Sequence, residues 1–368
     1  MNEQTTHRNA PPLIEEAQIQ LLEKLCNASA VTGDEGEVRR LVLEEVRPIL
    51  GEGDDVKIDA LGNVLVTRPG RGEARLRVML AAHMDEVGFM LTNDEDDGIF
   101  RFGNVGGLDV RQLAGKAVLV GDEHVPGVIG AKPIHLTKAE ERKQALSLDT
   151  LRIDVGPGNG SKVKAGDWAT FATRFARLGP SLRAKALDDR LGVATLIELV
   201  KHAPENIDLL AAFTVQEEIG LRGAQVAAYA LDPDLAIVLD CTPAHDQPIW
   251  EAEEGEENTR YNARLGLGPA IYLADRATLS DPRLVRHLVN SAQAAQIPYQ
   301  FRQPGGGGTD AGAIHKQRAG IPSVSVSVPG RYLHTAAGLA RLSDWQNTLA
   351  LVHTALAHLP SDILSTDR

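Results

Sequence analysis

Several apolar runs in this sequence stop on a carboxylate or an imidazole. Leu76–Ala82 leads into His83 and Asp85, and 208–215 leads into Glu217 and Glu218. The run 235–240 ends on Asp240, 322–328 is followed by a short loop to His334, and Asp188 and Asp189 precede a helical pattern at 189–203. Taken singly, each has a plain structural explanation: a satisfied histidine, a surface Glu pair, a helix-capping Asp. Their joint placement points further. In an open α/β sheet such positions meet at the carboxyl ends of the strands, where sites form. Charge beside buried strands is costly unless it is paired or coordinated.

The residue types suit a metal centre. Two imidazoles and three carboxylates, without a thiolate, fit zinc, cobalt or manganese. If one carboxylate bridges two ions, each ion keeps two further ligands. Two ions ~3.5–4 Å apart can activate a shared water and polarise a carbonyl, as peptide hydrolysis requires. Spacing alone leaves the bridge open between Asp188 and Asp189. Asp85, two residues after His83, is placed to accept the free imidazole N–H and fix its tautomer. Glu217, next to Glu218, is placed to act as general base on the water and then pass the proton to the leaving amine.

The elements around these residues fall into three stretches. Residues 1–12 are polar, end in Pro-Pro and read as a disordered tail. Helical spacing follows at 14–28 and 35–50, then strand-like runs at 56–59 and 63–67, then the buried strand at 76–82. From 89 to 177 the texture is short β-like runs broken by glycine, with one helical-looking segment at 138–147. From 183 onward strands (208–215, 235–240, 269–273, 298–302, 322–328) alternate with helices (189–203, 221–231, 281–296, 310–318, 343–358). That rhythm predicts an α/β fold with a mostly parallel sheet flanked by helices. The β-rich stretch is then an insertion: 1–87 and 178–368 form the α/β domain, and 88–177 the inserted domain.

Composition narrows the class. The 368 residues are 43% hydrophobic and only 4% aromatic, so the core is aliphatic. A net charge of −12 argues against nucleic acid and anionic membranes as partners. Two cysteines, Cys26 and Cys241, make no disulfide framework and suit a reducing compartment. No signal-like segment or membrane-length apolar run is visible, so the expected location is cytoplasmic. Cys241 reads as a small buried residue, and the acidic run 251–257 as a solvated loop.

Nine stretches together resemble the M42 family of metallo-aminopeptidases, whose members assemble into tetrahedral particles. The most specific are AAHMDEVGFM (81–90), KALDDRLG (185–192), TVQEEIGLRGA (214–224), GGGTDAGAIH (306–315) and SVPGRYLHT (327–335). They run in family order along most of the chain. The resemblance implies two divalent metal ions per subunit, zinc or cobalt first and manganese next. Asp188 would bridge them, with His83 and Asp240 on one ion and Glu218 and His334 on the other. Glu217 would be the general base and Asp85 the residue orienting His83. The resemblance also implies a cis peptide after Asp188, short peptides as substrates, and an insertion that builds dimers and, from them, a dodecamer. The Gly305–Gly308 run before Thr309 and Asp310 would lie beside the active site, with no catalytic role for Asp310. His135 reads as structural, although a neighbouring subunit's site is within its conceivable reach. After His334 the chain departs from the family, with Thr335 for a serine and Gly338 for an acidic residue, and the 251–257 loop is longer than usual. Both departures bear on substrate preference or assembly. The alternative reading is another co-catalytic metallohydrolase, an N-acyl amino acid deacylase or a relative labelled a cellulase. Glycoside hydrolysis ordinarily uses a carboxylate pair without metals, which counts against the last. A non-enzymatic scaffold is opposed by the presence of all seven expected positions.

Overall fold

The computed structural model describes residues 10–72, 75–247, 262–303 and 306–368. The acidic 251–257 segment and most of the N-terminal tail lie outside the described residues. A large sheet runs in the order Asp55–Ile58, Val64–Arg68, Asp208–Thr214, Arg77–His83, Leu235–Pro243, Ser323–Arg331, Gly338–Arg341, Ser181–Ala184, Ala176–Leu178. Ala270–Tyr272 also pairs with Ser323–Arg331, and Gln300–Arg302 pairs with Ala270–Tyr272.

The sheet is mixed, which corrects the expectation of a mostly parallel one. Among the described residues it has four parallel and six antiparallel pairings. The parallel pairings at its centre join 208–214, 77–83, 235–243 and 323–331, the strands that carry the candidate ligands. Antiparallel hairpins close both flanks, where a short turn such as Asp59–Asn63 returns the chain without a helical crossover.

The central strands are buried along almost their whole length because helices cover both faces, and three of them are largely apolar while 323–331 alternates serine with valine. Val78, Leu80 and Ala82 point into a core with helices Glu16–Asn27, Gly36–Val46, Leu187–Lys201 and Leu342–Ala357. Met79 and Ala81 point the other way, against Arg222–Leu231 and Ala311–Ile314. Alternate side chains of one strand thus belong to two different cores. The helix expected at 310–318 is only the turn Ala311–Ile314, because Lys316 and the residues from Arg318 to Gly320 are exposed.

Between Gly88 and Phe171 six strands close into a barrel, in the order Gly88–Asp94, Ile99–Val105, Arg152–Asp154, Val125–Gly130, Ala117–Val120, Trp168–Phe171. Its aromatic interior has Phe89 edge-on to both Phe102 and Phe171. No helix forms at 138–147. That segment holds one short turn, Glu141–Lys143, and all of its residues are exposed. A charged stretch without an apolar face has nothing to bury, so helical propensity alone does not order it.

Candidate metal centre

The register of the parallel strands sets the site. Thr214 pairs with His83, and Asp240 pairs with Ser327, so the strands reach their carboxyl ends together. Glu217 and Glu218 follow the first strand, and His334 follows the last by three residues. Helix Leu187–Lys201 brings Asp188 up beneath them, and the Asp188–Asp189 peptide is cis.

Asp188 lies between the two imidazoles. His83 Nε2 is 3.3 Å from Asp188 Oδ1 and 3.8 Å from Asp240 Oδ1. His334 Nε2 is 3.5 Å from Asp188 Oδ2 and 3.3 Å from Glu218 Oε2. Asp188 Oδ1 is buried with no hydrogen-bond partner among the described residues. Asp189 is engaged differently: its Oδ1 accepts from Gly192 N at 2.9 Å and its Oδ2 from His83 N at 3.3 Å. Among the described residues three groupings have donor atoms close enough to share an ion: His83, Asp189 and Asp240; Asp188, Glu218 and His334; Asp188, Asp189 and Cys241. The Cys241 thiol donates to Leu187 O at 3.2 Å, and burial raises its pKa well above the ordinary value, so it keeps its proton.

The other ring nitrogens are held away from the cluster. His334 Nδ1 is 3.0 Å from Gly107 O, a carbonyl supplied by the inserted barrel segment. His83 Nδ1 is 3.2 Å from the Asp85 carbonyl oxygen and 3.5 Å from its carboxylate. The main-chain oxygen therefore makes the shorter contact, where the sequence suggested the side chain. The Asp85 carboxylate is busy elsewhere. It accepts from Thr32 Oγ1 at 2.7 Å, from Glu217 N at 3.0 Å and from Glu218 N at 3.2 Å.

Electrostatically the centre is an excess of buried carboxylates. Burial raises Glu218 to about 8 and Asp240 to about 7, and it raises Glu217 well above the ordinary carboxylate range. Burial opposes charge on His334, but Asp188 and Glu218 outweigh it and hold the imidazole at about 10. Without a cation, these groups can coexist only by sharing protons. A divalent ion would supply the missing positive charge, and the orphaned Asp188 oxygen and the oxygen and nitrogen donors fit one.

A second network, missed in the sequence, braces the loop after His83. Glu86, Lys185 and Arg190 are all buried. Lys185 Nζ bonds Glu86 at 2.6 and 2.8 Å, and Arg190 donates to the carbonyls of Leu25, Met84 and Asp85. Both cations stand in the KALDDRLG stretch, but no spacing rule links them to a glutamate about a hundred residues earlier. Backbone conformation adds a further sign. Ala186, Gln216 and His334 itself have positive φ of 52°, 57° and 56°. Left-handed non-glycine residues each cost ~1–3 kcal/mol and collect where the surrounding structure enforces a site.

A cavity of about 940 Å³ opens over the cluster, lined on one side by His83, Asp188, Glu217, Glu218, Asp240 and His334.

Comparison with known proteins agrees with this geometry. The description of the M42 glutamyl aminopeptidase family matches residues 62–351, and the chain belongs to that family. A putative aminopeptidase of Acetivibrio thermocellus is 35% identical over 347 residues, covering 93% of this chain and 99% of the relative. The lysyl aminopeptidase of Pyrococcus furiosus is 31% identical, covering 92% and 97%. A TET peptidase of Pyrococcus horikoshii, described as assembling into a tetrahedron or a large octahedral shell, superposes with a TM-score of 0.79 at 31% identity, covering 93% and 100%. The chain is therefore an aminopeptidase, a peptide-bond hydrolase of a metal-dependent family.

Proposed function

We propose that this aminopeptidase removes N-terminal residues from short peptides at a centre of two divalent ions. His83 and Asp240 hold one ion, Glu218 and His334 the other, and Asp188 bridges them. Zinc or cobalt suits these donors first, manganese next. The observation that carries this is the Asp188 carboxylate, with one oxygen facing each imidazole Nε2. Two such ions, when bound, act as Lewis acids and lower the pKa of a water.

The chain's own residues supply the proton traffic. Glu217 stands on the cavity wall beside the ligands, and burial first, then the neighbouring Asp240 and Glu218, raises its proton affinity. A carboxylate tuned upward in this way accepts a proton from the attacking water and returns it to the departing amine. Asp85, through the Glu217 and Glu218 backbone N–H groups, fixes where that carboxylate stands.

The same proposal covers assembly and location. The barrel, with 88–177 as its domain and 1–87 with 178–368 as the catalytic one, builds a dimer and from it a dodecamer. Exposed Ile134 and Leu136, beside exposed His135, offer an apolar contact on that insertion. Two free buried cysteines suit the cytoplasm, and among the described residues no helix is long and apolar enough to cross a membrane. Family membership does not choose the preferred side chain, since the family description says glutamyl and the Pyrococcus furiosus relative is lysyl.

The deciding experiment is hydrolysis of aminoacyl anilides, acyl amino acids and cellulose by protein reconstituted with zinc, cobalt or manganese. Release of anilide only, and only with metal, is expected. Deacylation without anilide hydrolysis would sink the proposal.

A further inference from the structure

The tandem glutamates sit in a loop, 215–223, whose main chain is held from two directions. Its first carbonyls are answered from within the loop. Val215 O accepts from Gly223 N at 3.0 Å, Gln216 O from Arg222 N at 3.2 Å, and Glu217 O from the amides of Gly220 and Leu221, both at 2.9 Å. Its first amides are answered from outside. Four consecutive N–H groups each donate to a side-chain oxygen: Val215 to Asn63 Oδ1 at 2.9 Å, Gln216 to Glu35 Oε1 at 3.3 Å, Glu217 to Asp85 Oδ1 at 3.0 Å and Glu218 to Asp85 Oδ2 at 3.2 Å. Gln216 is left-handed, with φ of 57°, and such a residue turns successive amides toward one side.

The acceptors come from three separate segments and are themselves fixed. Glu35 stands just before helix Gly36–Val46, and its Oε1 also takes Gly33 N at 2.7 Å. Asn63 stands just before strand Val64–Arg68. Its Nδ2 donates to Asp59 Oδ2 at 2.6 Å and to Gly223 O at 3.0 Å, so one carboxamide ties both ends of the loop. Gly223 is obligatory there, because a Cβ would collide with Asn63 Oδ1 and Val215 O. Glu35 is 3% exposed, and Asn63 and Asp85 are 0% exposed.

Plain satisfaction of backbone groups is a poor account of this clamp. Gln216, Glu217 and Glu218 are only half-buried, and Glu217 and Glu218 border the large cavity, where water is at hand for an amide. Burying two carboxyl groups and a carboxamide to hold such amides is costly. What it gains is precision. A group borne on a loop is ordinarily held less exactly than one on a strand or helix, and a misplacement of ~1 Å can cost ~10²-fold in rate.

Resting on the reading of Glu217 as general base, we propose that Glu35 and Asn63 are positioning residues for hydrolysis. Together with Asp85 they fix the main chain on both sides of Glu217, so that its carboxylate stands at the attacking water with only its own side-chain torsions left free. Neither residue touches the substrate. Both act through Glu217.

The test uses the metal-loaded full chain and whichever of the Ala-, Glu-, Leu- and Lys-anilides the wild type cleaves fastest. Glu35→Met and Asn63→Ala remove the acceptors, whereas Glu35→Gln keeps one. With metal content unchanged by elemental analysis, the first two are expected to lose ~10–100-fold in kcat with KM within about twofold. Glu35→Gln should stay within about threefold of wild type. Added to Glu217→Gln, Glu35→Met should cost less than about twofold, because a residue that acts through Glu217 has nothing left to position. Wild-type kcat in Glu35→Met and Asn63→Ala, with only a lowered Tm, overturns the proposal. So does an equal fold-loss in the Glu217→Gln background, or a loss that merely tracks lost metal. Glu35→Gln as slow as Glu35→Met would mean that charge rather than the hydrogen bond matters, and overturns it too. Full activity of Glu217→Gln alone instead removes the base assignment beneath the proposal. Should Asn63→Ala not fold, the two Glu35 variants decide.

Discussion

The Oδ1 oxygen of Asp85 accepts a hydrogen bond from the backbone N–H of Glu217 at 3.0 Å. The same carboxylate takes the Glu218 N–H and the Thr32 hydroxyl, and it is entirely buried. Burial alone would raise its pKa, yet His83, Thr32 and the Glu217 N–H outweigh burial and hold it below the ordinary value. Asp85 is therefore a fixed anion on which the tandem glutamates are hung. Asp85→Asn turns an NH₂ group toward donors that need an acceptor. The expected result is a ~10–100-fold loss in kcat or metal affinity, read by steady-state kinetics and metal titration. Unchanged values on both counts would show that the loop holds its place without this anion.

Glu217→Gln removes the proposed proton acceptor and keeps the shape. Both metals should remain, by elemental analysis, while kcat falls by ~10²–10⁴-fold. Turnover near the wild-type rate would mean that another group takes the proton.

The metal-free protein should become less stable as pH rises. His334 is raised from 6.5 to about 10, Glu218 from 4.5 to about 8 and Asp240 from 3.8 to about 7. All three hold protons in the folded state that the unfolded chain releases. Stability is thus greatest below the unfolded values and is lost as pH climbs from them through the folded ones, a window from about 4 to about 10. Chelator-treated protein should show a falling Tm across that window, and metal-loaded protein a flatter profile. Binding metal near neutral pH should release protons, measurable by calorimetry in buffers of different ionisation enthalpy. His83→Ala should lose metal occupancy. A metal-free Tm that rises with pH contradicts the assignment.

Arg190→Met should cost stability more than direct chemistry. The substitution strands the carbonyls of Leu25, Met84 and Asp85 and leaves Glu86 with Lys185 as its cationic partner among the described residues. Breaking a buried charge network in this way costs ~3–5 kcal/mol, to be read from denaturant unfolding. A loss below about 1 kcal/mol would mean that water or Lys185 compensates.

Much of this was legible in the chain itself. Apolar runs ending in His83, Asp240 and the Glu217–Glu218 pair reveal buried strands with candidate ligands at one end, because strand burial leaves a strong periodic signal. The shift to short glycine-broken runs after Gly88 reveals the inserted barrel. Only the tertiary structure decided the rest. Strand direction at the sheet's flanks depends on which hairpins form, so the mixed sheet was not readable from alternation. The segment at 138–147 has helix-forming residues but no surface to pack on. The Asp85–Glu217 bond, the Gly107 carbonyl behind His334 and the Glu86–Lys185–Arg190 brace join residues about a hundred or more positions apart. Arg302 and Asp240, about sixty positions apart, also line one cavity. Local sequence carries residue type and periodicity, whereas such contacts come into being only when the sheet order brings distant strand ends together.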